Sequence, residues 1–169
     1  MTVIKEFNSI LILSTAKENI MENLQEILSS IDMSQHTMDH ITIACMDGRF
    51  FGPVVHYLLD RGLIGHTDVF FAAGSQQNFL SDEFKAFALK QIELSRKLHD
   101  MKTVTLVAHW DCGAYGGNKA LGGGDEERAK YADDLEAAKQ VIAAKFPDLE
   151  FELVLAKPEG NKVDFQKIA

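Results

Sequence analysis

The sequence predicts an α/β fold in three layers, with a mainly parallel sheet of four strands, a fifth strand that could return antiparallel along one edge, and helices on both faces. Three observations predict it. Apolar runs of strand length alternate with segments of helical period, the pattern of parallel strands joined by crossover helices. The apolar runs are continuous rather than alternating, as expected of strands covered on both faces. The chain has 169 residues, 46% of them hydrophobic, enough for one substantial core, and it shows neither an internal repeat nor an interdomain linker. The expected organisation is one domain over residues 1–169, with 1–37 as an N-terminal helical arm.

In chain order, KENIMENLQEILSS (17–30) is an amphipathic helix ahead of the sheet. The first strand is HITIACM (40–46). GPVVHYLLDRG (52–62) follows as a helix, with Pro53 suited to the first turn and Gly62 to the C-terminal cap. TDVFFAAG (67–74) is the second strand. SDEFKAFALKQIELSRKLHD (81–100) starts with Ser81 as a cap and two acids, and it ends with Lys97 and His99, which suits the helix dipole at both ends. KTVTLVAHW (102–110) is the third strand. The next stretch, GAYGGNKALGGGDEE (113–127), holds six glycines and is expected to be a plain surface loop rather than a mobile flap. From about Glu127 to Phe146, the residues Tyr131, Leu135, Ala138, Ile142 and Phe146 make one apolar helical stripe that Pro147 stops. EFELVLA (150–156) is the fourth strand, and a turn at Pro158 to Asn161 leads into the returning run.

The net charge is -8, without a basic stripe, so the long-range field repels nucleic acid and anionic membranes. A small neutral or weakly charged ligand fits better. No apolar stretch approaches the roughly 20 residues that span a bilayer, and no basic region followed by an apolar stretch marks a secretory signal. The expected setting is soluble and cytoplasmic. Two cysteines are not a disulfide framework, and a reducing compartment keeps both available as thiols or metal ligands.

In open parallel sheets, ligands bind at the carboxyl ends of strands. Cys45 closes the first strand there, while His109 and Cys112 close the third. Two thiolates and one imidazole form a three-ligand zinc set of the kind that leaves a fourth position open, and the HxxC spacing lets both side chains reach one ion. Either cysteine could instead be a small buried hydrophobe. A redox disulfide is a further alternative, although no CxxC pair exists.

Together, Cys45-Met46-Asp47-Gly48-Arg49 and His109-Trp110-Asp111-Cys112-Gly113 resemble the CxDxR and HxxCG signature of the β-class carbonic anhydrases. The resemblance extends to the order of strands and helices from about residue 38 onward. It implies one zinc ion per chain, Zn(2+), on Cys45, His109 and Cys112, with Asp47 and Arg49 as a catalytic dyad. Asp47 would orient the nucleophile and Arg49 would hold Asp47. In a closed alternative, Asp47 itself becomes the fourth zinc ligand and expels water. The resemblance also implies a homodimer or a larger assembly. Where family members carry Arg-Asn-Ala-Gly after the second strand, this chain has Phe71-Ala72-Ala73-Gly74.

The leading functional expectation is reversible hydration of carbon dioxide to bicarbonate. Hydrolysis of carbonyl sulfide or carbon disulfide on the same site is an alternative, suited by the apolar stretch at 70–73. A non-catalytic zinc-binding homologue is another, and a metal-free domain binding a small ligand in the same crevice is a fourth. His56 and His66 could shuttle protons or be plain surface residues. Tyr115 and Trp110 could wall the pocket or pack beneath the loop.

Overall fold

A computed structural model of the chain describes residues 25–27 and 29–168. The chain divides into two units, Met1–Gln35 and His36–Ala169. Most of the helix expected at 17–30 lies outside the described residues; residues 25–27 and 29 are helical and exposed.

The second unit is built on five strands: β1 (His40–Ala44), β2 (Thr67–Phe71), β3 (Thr103–His109), β4 (Glu150–Glu159) and β5 (Lys162–Lys167). Their order across the sheet is β2-β1-β3-β4-β5. The first four run parallel, and β5 returns antiparallel to β4. The helices are α1 (Gly48–Asp60), α2 (Gln77–Leu80), α3 (Lys85–His99), α4 (Gly117–Leu121) and α5 (Gly124–Lys145).

Side chains alternate between the two faces of the strands. Ile41 and Ile43, Val104 and Leu106, Leu153 and Leu155 pack with Ile92 of α3 and with Tyr131, Leu135 and Ile142 of α5. The intervening residues Ala44, Val107, Val154 and Ala156 pack with Phe50, Val54 and Leu58 of α1. Both faces are therefore buried, which is why the strands read as continuous apolar runs. After β1 the chain crosses to one side of the sheet and after β3 to the other, so the strand order reverses between these neighbours. This is the position at which open α/β sheets leave a crevice.

Several boundaries differ from the sequence expectation; among them, β1 and β2 end at Ala44 and Phe71, short of Met46 and Gly74. Helix α1 starts at Gly48 and carries Pro53 inside it, because the Asp47 carboxylate caps the helix by accepting the Arg49 N–H. The packing of Phe50, Val54 and Leu58 against the sheet carries the helix through the proline, at the loss of one interior hydrogen bond. Ser81 caps nothing with its side chain; in an extended conformation it closes α2, and α3 begins at Lys85. The stretch 113–127 is not a loop: it holds a 3-10 turn at Gly113–Tyr115, then α4, then the start of α5, with its glycines at the starts and junctions. Pro158 lies within β4 rather than at the turn. Beyond Ala156, β4 pairs only with β5, so a residue without an N–H donor is tolerated there. Among the described residues, no helix is long and apolar enough to cross a membrane.

Candidate metal centre

Ala44 is the last paired residue of β1 and lies opposite Val107 of β3. Cys45 thus leaves the sheet level with the end of β3, where His109 and Cys112 follow. The ligand atoms of Cys45, His109 and Cys112 all lie within 4.8 Å of one another. All three residues are buried, with exposures of 9%, 2% and 2%. The two sulfurs are 3.8 Å apart.

The imidazole of His109 is oriented for ligation. Its Nδ1 lies 2.8 Å from the Trp110 carbonyl oxygen, which can only accept, so Nδ1 carries the proton and Nε2 presents a bare lone pair. That Nε2 is buried without any hydrogen-bond partner. The Phe50 ring packs on the imidazole, tilted by 34° with 4.2 Å between centroids. A buried, unpartnered imidazole nitrogen facing two thiols fits a metal such as zinc, which favours this donor set.

The thiol environment also favours ligation. Cys45 is pulled down to about 4, chiefly by the hydrogen bond from the Cys112 thiol, with help from the N–H groups of Gly74 and Asp47 against the cost of burial. Cys112 is pushed up by its bond to Cys45 and by burial. One thiol of the pair therefore ionises readily while the other donates to it.

The end of β2 supplies backbone to this site. Gly74 N–H points at Cys45 Sγ over 3.4 Å, Ala72 N–H donates to the Ala44 carbonyl at 3.1 Å, and Ser75 Oγ donates to the Ile43 carbonyl at 3.1 Å. Gly74 has φ +71, and a Cβ there would meet the Gln77 carboxamide and lie 3.1 Å from the Ala114 Cβ. Only glycine permits this approach without strain.

Asp47 stands beside the cluster, its Oδ2 4.0 Å from His109 Nε2. Arg49 grips it with Nε at 3.1 Å from both carboxylate oxygens and Nη2 at 2.7 Å from Oδ2. The Arg49 guanidinium holds the Asp47 carboxyl down at about 2, and the two aspartates it meets raise Arg49 in turn.

The structure brings together all five residues singled out from the sequence. Tyr115 joins them, lining a small cavity with the ligands, Gln76 and Tyr131 and accepting a hydrogen bond from Gln76 Nε2 at 2.8 Å. Trp110 packs against the core. Neither candidate shuttle histidine arrives: His56 pairs with Asp60 on exposed α1 surface, and His66 precedes β2, at the opposite end of the sheet. Sequence reasoning missed Asp111, Glu127 and Tyr131, which bond around the HxxC segment. One signal existed: Glu127 is an acid on the apolar stripe of α5. Beside the centre, an open groove of about 750 Å³ is lined by Met46, Ala72, Ala73, Leu80, Phe84 and Ala114 among others.

Fold and site together define an α/β protein with a Cys-His-Cys cluster able to hold a metal ion. The family model described as "Putative carbonic anhydrase" matches residues 34–156. The chain belongs to this family. An uncharacterised protein of Rickettsia conorii is 26% identical over 126 residues, covering 71% of this chain and 68% of its own length. Among solved structures, a β-carbonic anhydrase of Trichomonas vaginalis matches with a TM-score of 0.53 at 17% identity, covering 92% of this chain and 96% of that one. The β-carbonic anhydrase CafA of Aspergillus fumigatus matches at 0.54 and 16% identity, covering 97% and 92%. Both share the fold.

Proposed function

We propose that the protein is a zinc-dependent lyase that interconverts carbon dioxide and bicarbonate, holding one zinc per chain on Cys45, His109 and Cys112. The observation that carries this reading is the bare His109 Nε2, buried without a partner and flanked by two thiols and by Asp47. Bound there, zinc would act as a Lewis acid that brings a coordinated water close to neutral pKa.

The chain's own groups supply the rest. Asp47 stays ionised because Arg49 holds its proton affinity down, so it accepts a hydrogen bond from the nucleophile and orients it toward carbon. Arg49 occupies the far side of the carboxylate with a forked, charge-assisted contact, which keeps Asp47 from swinging onto the metal. Gly74 N–H reduces the charge that Cys45 presents. The groove beside the centre, with Ala72, Ala73, Leu80 and Phe84 as its apolar part and Gln77, Asn78, Lys130 and Asp134 as its polar part, admits a small unsaturated molecule.

The test is metal analysis followed by stopped-flow kinetics. About one zinc per chain together with carbon dioxide hydration at alkaline pH supports the reading, whereas metal-loaded protein without that activity overturns it. The apolar lining from Ala72 and Ala73 favours a second substrate class, carbonyl sulfide or carbon disulfide. Sulfide release that outpaces bicarbonate formation would select it. The reading carries with it a cytoplasmic homodimer, and a monomer in light scattering overturns that part alone.

A further inference from the structure

Asp47 is only half of what Arg49 touches. Nη1 of the guanidinium donates to Asp111 Oδ2 at 3.1 Å and Nη2 donates to the Asp111 carbonyl at 3.0 Å. An exposed ion pair on its own contributes roughly 0–1 kcal/mol and orients its partners weakly. A guanidinium bonded along two edges has one orientation. The hold on Asp47 therefore depends on what fixes Asp111.

Asp111 has φ +55, a left-handed conformation that costs a non-glycine residue about 1–2 kcal/mol and persists only where the surroundings impose it. This turn aims both its carbonyl and its Oδ2 at Arg49. Its N–H donates to Glu127 Oε1 at 2.7 Å. Its Oδ1 accepts the Asn118 N–H at 2.9 Å, and a Cβ on Gly117 would lie 2.7 Å from the same oxygen, so glycine is required for that approach.

Everything in this turn leads back to Glu127, whose exposure is 0%. Tyr131 Oη donates to Glu127 Oε1 at 3.0 Å, and Cys112 N–H donates to Tyr131 Oη at 3.0 Å. The Asn118 amide, turned with its nitrogen toward Glu127, reaches both carboxylate oxygens at 2.5 and 3.1 Å. Burying a carboxylate is costly unless its oxygens are bonded. Packing alone gives no reason for an acid here, since the rest of the α5 stripe is apolar.

We propose that Glu127 is a positioning residue of the centre: through the Asp111 backbone it maintains the second grip on Arg49 and so keeps Asp47 in place beside His109. This rests on the roles assigned to Asp47 and Arg49 above and extends them to a residue on the far side of the sheet end.

Guanidinium nitrogen-15 NMR on the zinc-loaded protein tests it without an activity assay. Arg49 should show separately resolved Nη protons, because both edges are bonded and rotation is hindered. Glu127→Leu, which suits the apolar stripe but leaves the Asp111 N–H without its acceptor, should merge them into averaged signals. Glu127→Gln, whose amide oxygen still accepts, should restore them. Asp111→Ala, at a partly exposed position, should merge them even if the buried variant does not fold. Kinetically, kcat for carbon dioxide hydration should fall about tenfold in Glu127→Leu with KM little changed. That loss should vanish in an Arg49→Ala background, as for residues acting through one another. Resolved Arg49 signals in folded Glu127→Leu or in Asp111→Ala, or a loss fully additive with Arg49→Ala, overturn the proposal. If no variant or wild type hydrates carbon dioxide, the proposed function fails and the NMR result still decides the role of Glu127.

Discussion

The carboxyl ends of β1 and β3 differ in kind from that of β2, although all three strands lie side by side. The first two carry the thiols, the imidazole, the Asp47 carboxylate and, on the turn between His109 and Cys112, Asp111. The end of β2 carries Phe71-Ala72-Ala73-Gly74 and meets the site through the N–H groups of Ala72 and Gly74 and the Ser75 hydroxyl. Chemistry comes from side chains at the point where the strand order reverses. The end of β2 contributes shape, an apolar wall and an N–H aimed at sulfur. If the proposed function holds, this wall is where a different substrate would be selected.

Removing a ligand should break this division most severely. Cys45→Ala, His109→Ala or Cys112→Ala should each reduce bound zinc from about one per chain to near zero and abolish hydration, read by metal analysis and stopped flow. A smaller effect is expected one step away from the metal. Asp47→Ala and Arg49→Ala should retain the metal while kcat falls roughly 10²-fold, and loss of zinc from either variant would place them among the ligands instead.

On the β2 side, Gly74→Ala should cost stability more than chemistry. The left-handed backbone costs about 1–2 kcal/mol, and Gln77 has to move as well, so the denaturant midpoint should fall. An unchanged midpoint would remove the backbone role assigned to β2.

The smallest effect is electrostatic. The folded-state pKa of Asp47 lies at about 2, below the ordinary aspartate value, so its ion pair stabilises the fold above about pH 4 and the contribution is lost as pH falls toward 2. The difference in Tm between wild type and Asp47→Asn should narrow as pH is lowered from about 5 to 3; a difference that widens would contradict the pairing with Arg49.

Much of this was legible in the residues. Strands β1, β3 and β4 read clearly because both of their faces are covered, whereas β2, at the sheet edge, is only partly covered; the apolar runs overran the ends of β1 and β2 and stopped short of the end of β4. Cys45, His109 and Cys112 stood out because reactive side chains followed directly on apolar runs. Helix starts were harder. Pro53 and Ser81 carry strong local signals, yet Asp47 caps α1 ahead of the proline, and Ser81 is used to end α2. The glycines of 113–127 read as loop because composition does not reveal that they sit at junctions between short helices. Asp111 and Glu127 escaped for a different reason. An aspartate in a turn and a glutamate in the first turn of a helix both satisfy ordinary expectations, and only the folded chain brings one N–H to the other's buried carboxylate.

The position of β1 in the sheet has a consequence for how a metal would leave. Hydrogen-bonded on both sides, β1 and β3 belong to the slowest-opening parts of the domain, so Cys45, directly after β1, and His109, the last residue of β3, stand on firm backbone. Cys112 borders a turn and two short helical segments that can open locally. Release should therefore proceed from one side, with the 110–118 segment and Cys112 lifting off while Cys45 and His109 stay behind. Transfer of zinc to a chelator should keep pace with amide hydrogen exchange in residues 110–118 and run far faster than exchange in β1. Equal rates in the two segments would mean instead that the site comes apart only when the fold does.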